Sequence, residues 1–304
     1  VELPPSAGNR RPACLSPGLF YAIAAAPGPG VLERARALAS HLRASAAGEL
    51  AEERELPGIL WGFRRGEMGD GNRLSTAAAG RLEAVLWGDP VWLEPWTGRP
   101  CNAEELLRAW ESEGPRAALR LDNLFLAAVA DRESGELVLT TDRTGGIRLY
   151  TFDAGGVKAF TTSYLAASRL APAKTIDAPA IATFFHLGYF PGRRTALRDV
   201  AVHPFASRTR LKAGGAVEVE PCWQPDLHVD RSRSLAGVLD EAVTAFNATV
   251  REYTAGFAGA RLAMTAGLDS RTVASSLLRQ EIPFTTYTHG FPGSWEEKRV
   301  RKIV

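Results

Sequence analysis

The stretch that most constrains this chain runs from Leu124 to Ser163. There LFLAAVAD, ELVLTTD, IRLYTF and VKAFTTS are separated by RESG, RTGG and DAGG. Each run is rich in β-formers, and glycine at the breaks supplies the positive φ that hairpin turns demand. The spacing predicts an antiparallel meander of four strands. That much antiparallel pairing must bury at least one face, so the first two hundred or so residues read as a β-rich domain with a few helices.

The flanking sequence agrees. Gly18 to Ala26 reads as a strand, and after PGPG the segment VLERARALASHL places Leu32, Ala35, Leu38 and Leu42 on one helical face. ILWGFRRG, RLEAVLWGD and VWLEPW are further β segments, with Trp87, Trp92 and Trp96 as packing residues. Asn102 stands as N-cap of AEELLRAWESEG, with Glu105 at capping-box spacing. A short helix is expected after Asp177, and SRTRLKAGGAVEVEP predicts a last hairpin. Cys222 to Ser234 has no period and reads as a linker.

Beyond it the pattern changes. Leu235, Val238, Leu239, Ala242, Val243, Phe246, Val250 and Tyr253 recur at helical steps. Strand and helix then alternate through ARLAMT, a helix from about Ser270, PFTTYTHG, and a helix opening at SWEEKRVRKIV, where Ser294 and Glu297 again have capping-box spacing. That alternation predicts a parallel α/β sheet. Two strands cannot cover such a sheet, so this second domain is expected to be incomplete at Val304, with catalytic residues beyond it.

Composition narrows the class. A chain of 304 residues is long for one core, which favours two domains. Lys and Arg number 36 against 34 Asp and Glu, a net charge of +2 that gives no basic footprint for nucleic acid. No apolar run reaches the ~18 residues of a membrane span, and LFYAIAAAPGPG lacks the basic flank of a signal peptide. Cys14, Cys101 and Cys222 form no CxxC pair, which points to reduced thiols in a cytoplasmic protein instead of zinc ligands or disulfides.

The chemistry concentrates in RLAMTAGLDSRTVASSLLRQ. A strand passing through a small-residue turn into a helix sets the free N–H groups of that helix at the carboxyl edge of the sheet, a ready anion site. Ala266 and Gly267 allow close backbone approach, Leu268 follows them into the helix, Thr265 and Ser270 offer hydroxyls, and Asp269 offers a hard oxygen for Mg²⁺. No lysine follows, so this is not the GxxxxGK[ST] loop. The competing reading is an ordinary cap, with Asp269 or Ser270 closing the helix and Gly267 chosen for its φ. His289, at the end of the next strand, is a candidate neighbour of a nucleotide base or a structural residue. His186 and His203 have no partner suggested by spacing.

Thr265-Ala-Gly-Leu-Asp-Ser270 resembles the Ser-Gly-Gly-x-Asp-Ser pyrophosphate loop of ATP pyrophosphatases, and its place after a β-rich domain resembles the asparagine synthetase superfamily. Phe125, Asp131, Asp142, Arg143, Gly145, Leu149 and Tyr150 match a stretch of that superfamily's first domain, and HLGYFPGRRTALRDVAVHPFASRTRLKAGG is similar to the segment that follows. The resemblance implies an α+β, Ntn-hydrolase-like sandwich of antiparallel sheets with helices over residues 1–225, a degenerate class II glutamine amidotransferase. Residues 226–304 would begin an α/β parallel-sheet, HUP-like ATP-pyrophosphatase domain. It also implies ATP and Mg²⁺ as cofactors, with residues 265–270 on the pyrophosphate, and acidic residues near the site at Glu296 and Glu297.

Glutamine-using members begin Cys-Gly-Ile-Phe-Gly, with the terminal Cys as nucleophile. Laid on PACLSPGLFYAI, that pattern puts Pro17 at the nucleophile, and the Asn-Gly-Glu oxyanion element falls on Trp87-Gly88-Asp89. Cys14 would serve only if processing exposed it. The expected activity is therefore an AMP-forming amide ligase without glutaminase, joining a small-molecule or peptide carboxylate to an amine within a biosynthetic pathway, as in β-lactam synthetase-like enzymes or lasso-peptide cyclases. The alternatives are glutamine-dependent asparagine synthetase and a non-catalytic binding module of the same fold.

Overall fold

A computed structural model describes residues 18–44, 52–64, 74–93, 99–255 and 259–303; Cys14, Pro17 and Trp96 lie outside them. In chain order the elements are β1 (Leu19–Ala25), α1 (Val31–Ala44), β2 (Glu52–Leu56), β3 (Ile59–Arg64), β4 (Leu74–Ala79), β5 (Leu82–Gly88), β6 (Val91–Trp92), α2 (Ala103–Glu113), β7 (Leu121–Asp122), β8 (Phe125–Asp131) and β9 (Glu136–Thr141). There follow β10 (Tyr150–Asp153), β11 (Val157–Thr161), α3 (Tyr164–Leu170), α4 (Ala178–Leu187), β12 (Ala201–Val202), β13 (Ser207–Leu211) and β14 (Val217–Pro221), then α5 (Leu235–Thr254), β15 (Ala260–Ala263), α6 (Leu268–Arg279), β16 (Phe284–Tyr287) and α7 (Trp295–Ile303). The chain divides into two compact units that change over between Gln224 and Pro225, with Val91–Pro100 grouped with the second.

The first unit is built on two six-stranded sheets, ordered β12-β10-β11-β1-β3-β2 and β14-β13-β9-β8-β5-β4. Their pairings are antiparallel. Strand alternation sorts the side chains. From β1, Phe20, Ala22 and Ala24 join Trp61 and Phe63 of β3, Val85 and Trp87 of β5, Leu126 and Ala128 of β8, and Phe160 of β11 in a core between the sheets. From the other face of β1, Leu19, Tyr21, Ile23 and Ala25 pack with Ala35, Ala39 and Leu42 of α1 and Ala166 and Ala167 of α3. Helix α2 lies on β4 and β5, starting where Asn102 accepts from the Glu105 N–H at 2.9 Å and the Ala103 N–H donates to Ser75 Oγ at 2.9 Å. The result is four layers, helix, sheet, sheet, helix.

Two expectations are corrected. The four runs from Leu124 to Ser163 are all strands, but they do not form one meander: β8 and β9 pair in one sheet, β10 and β11 in the other. RTGG is a crossover between sheets. Its cause is Asp142, fully buried, whose carboxylate accepts from the Thr144 N–H and hydroxyl, the Gly146 N–H and the Ile147 N–H at 2.9–3.1 Å. Those bonds fold the chain away from a hairpin. On α1 the buried stripe is Val31, Ala35, Ala39 and Leu42, with Leu32 exposed, a rotation that seats small alanines against β1.

The second unit contains the predicted parallel pair. β15 and β16 align Ala260 with Phe284 through Ala263 with Tyr287, and α6 connects them. Met264, Ala274 and Val300 form its small buried core, flanked by Leu262 and Phe284. Helix α5, capped by Ser234 Oγ on the Gly237 N–H at 3.1 Å, is tied to α6 through Asn247, which accepts from Ser276 Oγ at 2.7 Å and through its carbonyl from Gln280 Nε2 at 3.0 Å. The helix forms as expected, but none of its residues is buried, and Leu235, Val238, Leu239, Val243 and Phe246 of its apolar stripe are exposed.

Candidate functional site

The turn between β15 and α6 is small and polar. Gly267 sits at the N-cap in an extended conformation, and no side chain caps the helix there, so the cap reading for Asp269 and Ser270 does not hold. Ser270 Oγ instead turns back: it is 3.0 Å from Thr265 Oγ1, accepts from the Thr265 N–H at 3.1 Å and donates to the Thr265 carbonyl at 3.1 Å. Thr265 Oγ1 also accepts from the Gly267 N–H at 3.1 Å. The two hydroxyls thus close a ring of internal bonds at the first turn of α6. The Ala266 N–H is taken by Glu296 Oε1 at 2.5 Å, so of the expected backbone donors this one already meets an internal carboxylate.

Leu268 and Asp269 are exposed beside the helix start, and Arg271 folds onto the Gly267 carbonyl through Nε at 3.0 Å. His289 is exposed and packs edge-to-face on Tyr287, ring centroids 5.2 Å apart. At the head of α7, Ser294 Oγ accepts from the Glu297 N–H at 3.3 Å, and Glu297 reaches the Gly293 N–H at 2.5 Å. That N–H and then Arg301 hold the Glu297 carboxyl below its ordinary range. The donor set suits a phosphate: an uncapped helix start, two hydroxyls and small residues that admit close approach. For a cation it offers the carboxylate of Asp269, that of Glu296 being bonded to the Ala266 N–H, a set that suits Mg²⁺ only when phosphate oxygens complete the shell; among the described residues no group of three His, Cys, Asp or Glu side chains could hold a metal alone.

In the sandwich, the segment Trp87-Gly88-Asp89 ends β5. The Asp89 N–H donates to the Leu124 carbonyl at 3.0 Å, and Asn123, with a φ of 72°, donates from Nδ2 to the Asp89 carbonyl at 2.7 Å. Gly88 has a φ of 105° and leaves no room for a Cβ, which would lie 2.1 Å from the Leu124 oxygen. The turn is therefore locked, but the side chain that leads into it is an indole, 5% exposed. The Trp87 ring lies against Gly18, where an added Cβ would be 2.7 Å from Cζ2. Where the resemblance calls for a polar amide, a core-packing ring stands.

The other residues that carry the resemblance are structural. Asp131 caps its hairpin through the Glu133 and Ser134 N–H groups at 2.9 and 3.3 Å. Arg143 lies over the Trp223 ring at 5.6 Å, Leu149 is buried, and Tyr150 packs on Tyr164 at 5.3 Å. His203, which spacing left without a partner, has one: it is 4% exposed, with Nε2 2.7 Å from Thr209 Oγ1. Burial, then the charges of Arg193 and Lys158, push its imidazole down to about 4. Cys101 is buried, its thiol donating to the Asn102 carbonyl at 3.3 Å, and Cys222 is partly buried; neither is in a disulfide, and burial raises the Cys222 pKa. No described helix is long and apolar enough to cross a membrane.

Residues 98–223 match the sequence model of a glutamine amidotransferase domain. No curated protein matches the chain. Among solved structures, one described as glutamine phosphoribosylpyrophosphate amidotransferase from B. subtilis complexed with ADP and GMP is 11% identical, with a TM-score of 0.37, over 88% of this chain and 65% of that one. Another, described as the allosteric regulatory enzyme of purine biosynthesis, is 12% identical, with a TM-score of 0.31, over 93% and 63%. The chain thus spans somewhat less than two thirds of the length of these structures. Residues 98–223 are thus similar to a glutamine amidotransferase domain, and those of them that the structure describes belong to the sandwich of antiparallel sheets with helices on its outer faces.

Proposed function

We propose that this chain is part of an AMP-forming amide ligase of the asparagine synthetase superfamily, in which residues 265–270 hold the pyrophosphate of ATP and the amidotransferase sandwich no longer hydrolyses glutamine. The observation that carries this reading is the α6 N-terminus at the carboxyl end of β15, with no side-chain cap and with the Thr265 and Ser270 hydroxyls beside it. Bound Mg²⁺ would neutralise the charge on the departing pyrophosphate. The chain's own part is binding and orientation: helix N–H groups and dipole toward the phosphates, hydroxyls beside them, and Asp269 on the metal side. The indole at Trp87, in place of an amide donor, supports the loss of glutaminase. Scaffold is then the role left to the sandwich.

The test is product analysis on the full-length protein with ATP and candidate carboxylates and amines. AMP and pyrophosphate without glutamate release from glutamine is the expected result; ATP consumption without pyrophosphate overturns the ligase reading. Glutamate release would favour the glutamine-dependent reading, which the family match over residues 98–223 keeps in view.

A further inference from the structure

The space between the two sheets is apolar along most of its length and becomes polar at one margin. On β11 the inward positions run from Phe160 to Lys158, and on β10 they are Thr151 and Asp153, cross-strand partners of Phe160 and Lys158. Here a cavity of about 520 Å³ opens, lined by these polar residues, by Arg193 and His203, and by Val217 and Val219 of β14.

Three features make it a built site. Thr151 is 7% exposed, and its buried hydroxyl has no hydrogen-bond partner, a costly arrangement that native proteins avoid unless something meets the group. Arg193 donates from Nε to the Val202 carbonyl at 2.9 Å while the Val202 N–H returns a bond to the Arg193 carbonyl at 2.9 Å. The guanidinium is thereby fixed, with its terminal nitrogens left without a protein partner among the described residues, a preorganised fork for an oxyanion. Lys158 Nζ lies 3.2 and 3.3 Å from the two Asp153 oxygens. Two cations and one carboxylate line the cavity, and the imidazole of His203 in the same lining is kept neutral by burial first and then by those two cations. The cavity carries a surplus positive charge.

We propose that this cleft binds a small metabolite through a phosphate or carboxylate group, seated on Arg193, Lys158 and the Thr151 hydroxyl, with its apolar remainder against Val217 and Val219. The volume falls in the usual range for small-molecule sites, ~300–1,000 Å³, and exceeds what a bare anion fills. The proposal uses residues of the sandwich alone and does not rest on the ligase reading.

The test is an amide-resolved NMR titration of the 304-residue chain with inorganic phosphate and, separately, acetate. Saturable shifts at Thr151, Lys158 and Arg193 are expected, the stronger anion identifying the group recognised. Arg193→Gln, an exposed position, is expected to weaken that binding about tenfold, Thr151→Val to weaken it without loss of folding, and Lys212→Gln to leave it unchanged. No saturable shift at these residues with either anion, or an Arg193→Gln titration equal to wild type, overturns the site. Shifts at residues 266–270 report the α6 loop and persist in Arg193→Gln, so the two proposals fail separately.

Discussion

Glu296 places a carboxylate oxygen 2.5 Å from the backbone nitrogen of Ala266, at the mouth of the α6 N-terminus. A negative side chain in that position satisfies a loop N–H and complements the helix dipole, so it competes with any incoming anion. Glu296→Gln keeps the shape and removes the charge. The expected outcome is pyrophosphate binding tighter by about tenfold in metal-free, low-salt buffer, the gain shrinking as salt is added. Calorimetric titration checks it, and unchanged affinity would mean that anions do not approach this loop.

How much of this was legible in the sequence depended on whether a signal was local. The strand, small-residue turn and helix around Thr265 are consecutive, so period and residue type were enough to place them. The crossover at RTGG was not legible as such, because Gly145 and Gly146 suit a hairpin equally well; the deciding contacts belong to the Asp142 carboxylate, which collects donors from the next five residues only after β9 and β10 have separated into two sheets. His203 was missed for a related reason. Its partner Thr209 lies six residues on, but the burial that makes the pair matter comes from Phe160, packed edge-to-face at 5.3 Å from a strand more than forty residues earlier. The Glu296 bond to Ala266 likewise joins residues thirty apart, brought together by the α7 turn.

Asp142 is the residue on which the two-sheet arrangement turns. Its carboxylate accepts four bonds while fully buried, and Asn in its place would set an NH₂ against N–H donors. Asp142→Asn is expected to destabilise the sandwich by about 3 kcal/mol, and Asp142→Ala by at least as much, since bonds to a charged acceptor are worth ~1.5–3 kcal/mol each and are not additive. Urea denaturation followed by tryptophan fluorescence measures this. A loss under about 1 kcal/mol would show that the crossover is held by other contacts.

Trp87 fills the corner beside Gly18, where the proposed reading sets the missing amide donor of a glutaminase. Trp87→Ala removes a buried ring from the inter-sheet core and is expected to cost about 3–5 kcal/mol. Gly18→Ala meets both a φ of 50° and the indole, and is expected to cost less in the Trp87→Ala background than alone, because one of the two clashes is gone while the Arg64 carbonyl, 2.8 Å from the added Cβ, remains. Trp87→Asn introduces an amide at this position, yet on the proposed reading glutamate release is expected to stay at background, since the sequence has Pro17 before Gly18 where the resemblance sets the nucleophile. Glutaminase activity in that variant would show that Cys14 or another group serves in its place.

His203 sets a pH dependence that can be separated from general acid denaturation. Its folded pKa is pushed down to about 4, from an ordinary value near 6.5, by burial first and then by Arg193 and Lys158. Between those values the unfolded chain binds a proton that the folded protein refuses. The contribution is therefore complete above about pH 6.5, declines as pH falls, and is exhausted below about pH 4. Between pH 7.5 and pH 5 it removes about 2 kcal/mol of stability. His203→Gln retains a hydrogen-bonding side chain for Thr209 but does not titrate, so its stability is expected to fall less over the same interval, by about that amount. Carboxylates elsewhere titrate in both proteins and cancel in the difference. Denaturant midpoints for the two proteins, converted with their m-values at each pH, give the comparison directly; parallel stability curves from pH 7.5 to 5 would mean that the imidazole is protonated in the folded sandwich, with Thr209 accepting from it.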